Sequence, residues 1–226
     1  MKKIFFLSLV LLSNLSMFSQ QRVGSGFSVI YGKQRLDLTK SFANEDAEVE
    51  GKPFFVENFL PANVKGYDGM FLLRYNAYRD EMEFQKDDEI HFLVKSDSLE
   101  INFVNNKKLY KFLEHNFNKE NIKGFLVVLN ENAKVSLYKK ERITFAQKVY
   151  ATNSYKSDIP AHYELQKDTF FIKKDDAIVP FPKNKKELAK MFPGKENQIL
   201  EFLKSNSLSL SKESELISIV SFLNSI

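Results

Sequence analysis

The sequence predicts an α+β fold: a curved antiparallel β-meander, closing into a sheet or half-barrel, with helices at its C-terminal end. Three observations predict it. Apolar and polar residues alternate in short runs between residues 67 and 173, the two-residue period of half-buried strands. Connections of two to five residues join these runs, which suits hairpins; only 110–121 has room for the dozen or more residues of a parallel crossover. After residue 184 the apolar spacing changes to three and four, the period of a helix.

Taken in order, residues 1–20 read as a secretory signal peptide. Lys2 and Lys3 precede an apolar run over 4–12, and a polar stretch ends in Ser19 and Gln20. The run is far shorter than the roughly 20 residues of a membrane span. A cleaved leader and no transmembrane segment after processing are therefore expected. Residues 21–66 form an irregular N-terminal segment. Gly24, Gly26, Gly32, Gly51 and Gly66 fall here with Pro53 and Pro61, so turns should be dense. A short strand is expected at 27–31, and Phe54, Phe55, Phe59 and Leu60 should fold back as a hydrophobic clasp.

The meander is expected over 67–183. Residues 70–78 place Phe71, Leu73, Tyr75 and Ala77 on one face, after which the apolar positions Tyr78, Met82 and Phe84 are even. That change of parity predicts a bulge near 76–80. Residues 89–95 set Ile90, Phe92 and Val94 against His91, Leu93 and Lys95, and Leu99, Ile101 and Phe103 follow. Residues 96–98 read as the hairpin between those two runs. Asn105–Asn106 turns into 107–113. Further strands are expected at 125–129, 135–138, 143–149, 162–165 and 170–173, the last two joined across Lys167–Asp168. The helical tail, 184–226, should pack on the sheet. Asn184 with Glu187 is a capping pair, and Pro193–Gly194 ends the first helix. A second helix covers 196–205. A third, 212–224, carries Leu216, Ile219, Val220 and Leu223 as one stripe.

The chain has no cysteine, which excludes disulfides, thiolate sites and a lipid anchor on a cleavage-site cysteine. An exported protein in the periplasm or outside the cell, not lipid-anchored, is expected. Removing the two leader lysines from 33 basic against 29 acidic residues leaves +2. The lysine pairs 107–108, 139–140, 173–174 and 185–186 therefore read as solvated surface, and no nucleic-acid partner is expected. With 22 phenylalanines, 9 tyrosines and no tryptophan, a phenylalanine core with little aromatic hydrogen bonding follows.

Catalytic signatures are missing: there is no GxSxG, HExxH, GxGxxG or phosphate-binding loop. The histidines, His91, His115 and His162, lie far apart in sequence, and no catalytic residue, metal or cofactor is assigned. The densest polar stretch surrounds the proposed bulge, where bulges re-aim side chains. The candidate ligand-binding residues are accordingly Tyr75, Asn76, Tyr78, Arg79, Glu81 and Glu83. Glu81 and Glu83 share a strand face about 7 Å apart, and cross-strand lysines are their expected partners.

At RYNAYRDEMEF (74–84) and FPKNKK (181–186) the chain resembles a set of small exported Bacteroidota proteins of unassigned function. The resemblance implies an envelope or exported location and no activity. The expected function is non-enzymatic: binding an apolar ligand on a concave face with Phe92, Phe103 and Phe125, or an envelope partner. The alternative is an interaction protein docking through its C-terminal helices, with a hydrolase the third class. Oligomeric state is not legible.

Overall fold

A computed structural model describes residues 26–31, 34–40, 49–86, 89–153 and 155–226. The leader reading, residues 1–20, lies outside the described residues. The fold is α+β: a mostly antiparallel sheet, strongly curled, with three C-terminal helices. The strands are β1 (Gly26–Tyr31), β2 (Gln34–Lys40), β3 (Leu60–Val64), β4 (Phe71–Asn76), β5 (Glu81–Lys86), β6 (Glu89–Leu93) and β7 (Glu100–Phe103). They continue as β8 (Leu109–Phe117), β9 (Glu120–Asn130), β10 (Val135–Lys140), β11 (Ile143–Ala146), β12 (His162–Leu165), β13 (Thr169–Lys174) and β14 (Ala177–Pro180). Helices α1 (Lys185–Lys190), α2 (Glu196–Ser205) and α3 (Glu213–Ser225) follow.

The main sheet runs β1-β2-β6-β5-β4-β3-β7-β8-β9-β10-β13-β14, and β11 and β12 form a separate ribbon. This order departs from a simple meander. Residues 96–98 do not make a hairpin, because β6 pairs with β5 and β2 while β7 pairs with β3 and β8. A flat sheet would set β6 and β7 four spacings apart, about 19 Å. The connection 94–99 spans roughly 20 Å only when fully extended. It instead turns tightly, the Leu99 amide donating to Ser96 O at 3.0 Å. Curling of the sheet brings the two strands together. Lys167–Asp168 likewise joins strands of different sheets: β12 pairs with β11, and β13 with β10.

The curl creates three cores. The first fills the concave face of β3–β9 with Phe71, Leu73, Met82, Phe84, Leu93, Ile101, Phe103, Phe112 and Phe125. The second lies between β10–β13 and the helices, and the third between β8–β10, β13 and β14. All six residues of β10 are buried because both of its faces are covered. Leu137 with Ile172 faces the helices, while the neighbouring pair Tyr138 and Phe171 faces the third core.

The parity change is a hairpin, not a bulge. Strand β4 ends at Asn76, residues 77–80 turn, and β5 begins at Glu81, so Tyr75 sits opposite Met82 and Leu73 opposite Phe84. Asp80 closes the turn at φ +56, a left-handed geometry that short polar side chains tolerate. On β6 the expected faces are exchanged: His91 and Leu93 are buried, while Phe92 lies on the other face. Phe92, Phe103 and Phe125 therefore do not share a face; Phe103 and Phe125 are packed into the first core.

The helices match their capping signals. Asn184 Oδ1 accepts from the Glu187 amide at 2.9 Å, and Gly194 takes φ +81 past the end of α1. Leu216, Ile219, Val220 and Leu223 are fully buried against β10 and β13, each stabilising by roughly 1.5–3 kcal/mol. Asn224 bolts the end of α3 to β10, accepting from Val135 N and donating to Val135 O, both at 2.9 Å. That stripe is part of the core rather than a free docking face. No described helix is long and apolar enough to cross a membrane.

Candidate functional site

The six sequence-predicted residues divide between two faces and the turn because neighbours on a strand point opposite ways. Tyr75 points inward. Its hydroxyl donates to Asp80 Oδ1 at 2.6 Å, and the same oxygen takes Lys140 Nζ at 2.5 Å. Lys140 also donates to Phe125 O at 3.0 Å, and the Phe125 amide donates to Asp80 at 3.2 Å. The turn is thereby latched to β9 and β10. Gly124 makes the latch possible: a β-carbon there would collide with Asp80 Oδ2 and stand 3.4 Å from the His115 ring. Burial, then Asp80, pushes the Tyr75 hydroxyl well above the ordinary tyrosine range. Burial holds the Lys140 ammonium and the His115 imidazole below theirs.

Asn76, Glu81 and Glu83 lie on the other side of the hairpin. Glu83 is buried and takes Arg74 Nη2 at 2.5 Å, Arg74 Nε at 3.1 Å and Asn76 Nδ2 at 2.8 Å. Its partner is thus an arginine, not a lysine. The Arg74 guanidinium lies 3.6 Å from the Phe54 ring centre and 4.4 Å from that of Phe59, the outer half of the expected clasp. Phe55 and Leu60 form the inner half, against the first core. Glu81 is half-buried, and desolvation raises its carboxyl above the usual range. Among the described residues no group of three or more His, Asp or Glu could hold a metal.

A second buried acid, Glu141, escaped sequence reasoning. It accepts from Tyr110 OH and from Lys108 Nζ, both at 2.6 Å, with Lys139 Nζ at 3.6 Å. Lys139 and Lys140, expected at the surface, are both buried. Tyr75 and Tyr110, ring centres 4.9 Å apart, also make the aromatic hydrogen bonds that the phenylalanine-rich composition argued against. The signal was present: KKE inside the apolar run VSLYKKERITF implies paired charges in a covered strand.

Tyr78 and Arg79 project from the turn itself, and both are exposed. Asn76 Oδ1 accepts from the Arg79 amide at 3.0 Å, while Ala77 donates to Pro53 O and accepts from the Ile143 amide. These bonds seat the turn against the base of the β11–β12 ribbon. The Tyr78 ring meets Phe145 and Tyr163 at 6.2 and 5.4 Å, and those two stand 5.3 Å apart. Beyond this cluster the ribbon extends as an arm, with Val149 and Ile159 exchanging backbone bonds at 2.9 Å. Phe145, Val149, Tyr150, Tyr155, Ile159 and Leu165 are all exposed. The arm's charges pair within it: Lys148 with Asp158 at 3.4 Å and His162 with Glu164 at 3.4 Å.

A cleft of about 320 Å3, part of it open solvent, lies between the clasp and the sheet. Phe55, Val56, Leu73, Tyr75, Lys108 and Tyr110 line it, and its enclosed part has room for about one water molecule. Of the six sequence-predicted residues only Tyr75 reaches it.

No family model, curated protein or solved structure matches the chain. The site is therefore read from its own chemistry.

Proposed function

We propose that this is an exported, non-enzymatic protein that works by docking on another macromolecule through the aromatic arm of residues 143–165 and Tyr78. One observation carries the reading: a run of exposed aromatic and aliphatic side chains on a ribbon whose base is seated against the latched 77–80 turn. Large exposed apolar patches mark interaction surfaces, and tyrosine is enriched there. The C-terminal helices spend their apolar stripe on the sheet, so the arm takes the docking role from them. The part-buried Asp80 and the buried Glu83 and Glu141 are each held by internal donors, which favours a structural role for them over catalysis. The leader-like residues 1–20 and the resemblance at 74–84 and 181–186 support export.

The test is a photo-crosslinking amino acid placed at Tyr150, and at Lys190 on α1 as a control, in cells that make the protein. Adducts specific to position 150 are expected. Equal adducts at both positions, or none at 150, would overturn the reading. Sequencing the N-terminus of the protein from envelope and culture fractions checks export: a start near residue 20 is expected.

A second reading rests on the cleft beneath Phe55: a small apolar ligand seated on Leu73, Phe103 and Tyr110 once the clasp lifts. Native mass spectrometry of the purified protein should then find a bound mass that Phe55→Ala loses. A bare polypeptide mass in both would remove this reading.

A further inference from the structure

We propose that Arg142 binds an oxyanion, a phosphate or a carboxylate, at the root of the arm. The proposal stands apart from what docks on the arm's exposed aromatic side chains.

The first observation is an unmatched donor. Arg142 lies on the connection between β10 and β11 and is half-buried. Its Nε is shut off from solvent and has no acceptor. Among the described residues its guanidinium makes no hydrogen bond or ion pair. It lies over the Phe117 ring, 5.3 Å from the ring centre. A guanidinium donates and cannot accept, and a buried donor left without a partner is costly.

The second observation is the contrast with Arg74. That guanidinium also lies on phenylalanine, 3.6 Å from the Phe54 ring centre. Yet all its nitrogens are bonded: Nε and Nη2 donate to Glu83, and Nη1 donates to Glu57 O. The fold thus gives one covered arginine a carboxylate and the other none. An oxyanion from outside the chain supplies to Arg142 what Glu83 supplies to Arg74. The planar fork suits it, because two N–H groups meet two oxygens of one carboxylate or phosphate.

The third observation is charge. His115 and Phe117 share a face of β8, and both rings meet Phe171. Lys140 Nζ and the His115 ring both border Gly124, so Lys140 and Arg142 stand at one end of the third core. Burial holds the Lys140 ammonium down, Asp80 opposes this, and Lys95 and Arg142 add to it by repulsion. The cations here are matched one by one except at Arg142. Asp80 takes Lys140, and Glu81 lies in the field of Lys95 and Arg79. Arg142 is the positive charge left over.

The experiment follows the Arg142 Nε–H signal of the purified protein by proton–nitrogen NMR. Inorganic phosphate and, separately, acetate are titrated to about 20 mM at constant ionic strength, since salt screens the contact. A saturable shift at millimolar anion is expected. The Gln166 amide, which donates to Arg142 O, reports the same event in variants. Arg142→Lys keeps the charge, loses the fork and should weaken binding about tenfold. Arg142→Gln should abolish it, and Lys148→Gln, at an exposed position on the arm, should leave it unchanged. Circular dichroism checks that the variants fold. Saturation by phosphate alone assigns a phosphorylated ligand; saturation by acetate as well assigns a carboxylate, such as an acidic side chain presents. No saturable shift with either anion, or binding that Arg142→Gln leaves intact, overturns the proposal.

Discussion

The Asp80–Lys140 latch makes the most exacting prediction. Asp80→Asn keeps a residue that tolerates φ +56, so it removes charge with little added backbone strain. Lys140 is then left as a buried ammonium holding only Phe125 O and a neutral amide. Removing one partner of a buried ion pair costs 3–5 kcal/mol. The side chains are 25% exposed for Asp80 and 10% for Lys140, so the low end applies: about 3 kcal/mol. Lys140→Met leaves Asp80 part-exposed and still bonded to Tyr75 OH and Phe125 N, and should cost about 1–2 kcal/mol. In the double variant the buried-charge penalty vanishes, so the total should fall about 2 kcal/mol below the sum of the singles. Urea unfolding followed by circular dichroism reads all three values, and Asp80→Asn should lower Tm by roughly 6–12 °C. Additivity within about 0.5 kcal/mol would refute the latch, since uncoupled sites add that closely.

The neighbouring groups give three more tests. His115 is held below its ordinary value by burial, so the unfolded chain takes up a proton that the folded chain refuses. Its contribution is complete above about pH 6.5 and is lost as pH falls below it; His115→Leu should flatten the stability curve on the acid side of that value, and an unchanged slope would exclude His115 as its source. Gly124→Ala forces a methyl group onto Asp80 and should cost about 1–3 kcal/mol by overpacking, read as a lower urea midpoint. Ile219→Ala, at a fully buried position on α3, should cost about 2–5 kcal/mol, whereas exposed Met70→Ala should stay within about 0.5 kcal/mol; equal small losses would show that the tail is not core.

The legible parts of this fold were those written locally. Alternation gave Leu99, Ile101 and Phe103 their inward face, where all three are buried, and Asn184 with Glu187 marked the first helix to the residue. What failed depended on partners distant in sequence. Pro61 argues against a central strand because it lacks an amide; yet β3 lies between β4 and β7, with Pro61 O accepting from Val104 at 3.0 Å. His91 looked like the polar face of its strand, but it pairs across from Phe84 and faces the core with it. The candidate site shared this fate. Tyr75, Tyr78 and Glu83 are near in sequence and serve three structures: the inner latch, the aromatic cluster and the Arg74 pair. Asp80, their neighbour, was passed over because its partners Phe125 and Lys140 lie 45 and 60 residues away. Gly124 inside an apolar strand was the one local hint of a close approach there.

The turn of residues 77–80 links these observations into one mechanical argument. It is bonded to each surrounding part: Ala77 donates to Pro53 O beside the clasp and accepts from Ile143 of the arm, and Asp80 accepts from Phe125 and Lys140 of the sheet. A four-residue turn needs far fewer constraints to exist, and the left-handed backbone at Asp80 works against it. Those constraints orient Tyr78 against Phe145 and Tyr163, so the rings at the base of the arm are positioned before any partner arrives. Such preorganisation lowers the ordering cost of association. The latch and the docking surface are then one device, and loosening Asp80 should weaken association through Tyr78 with no change to any residue of the arm.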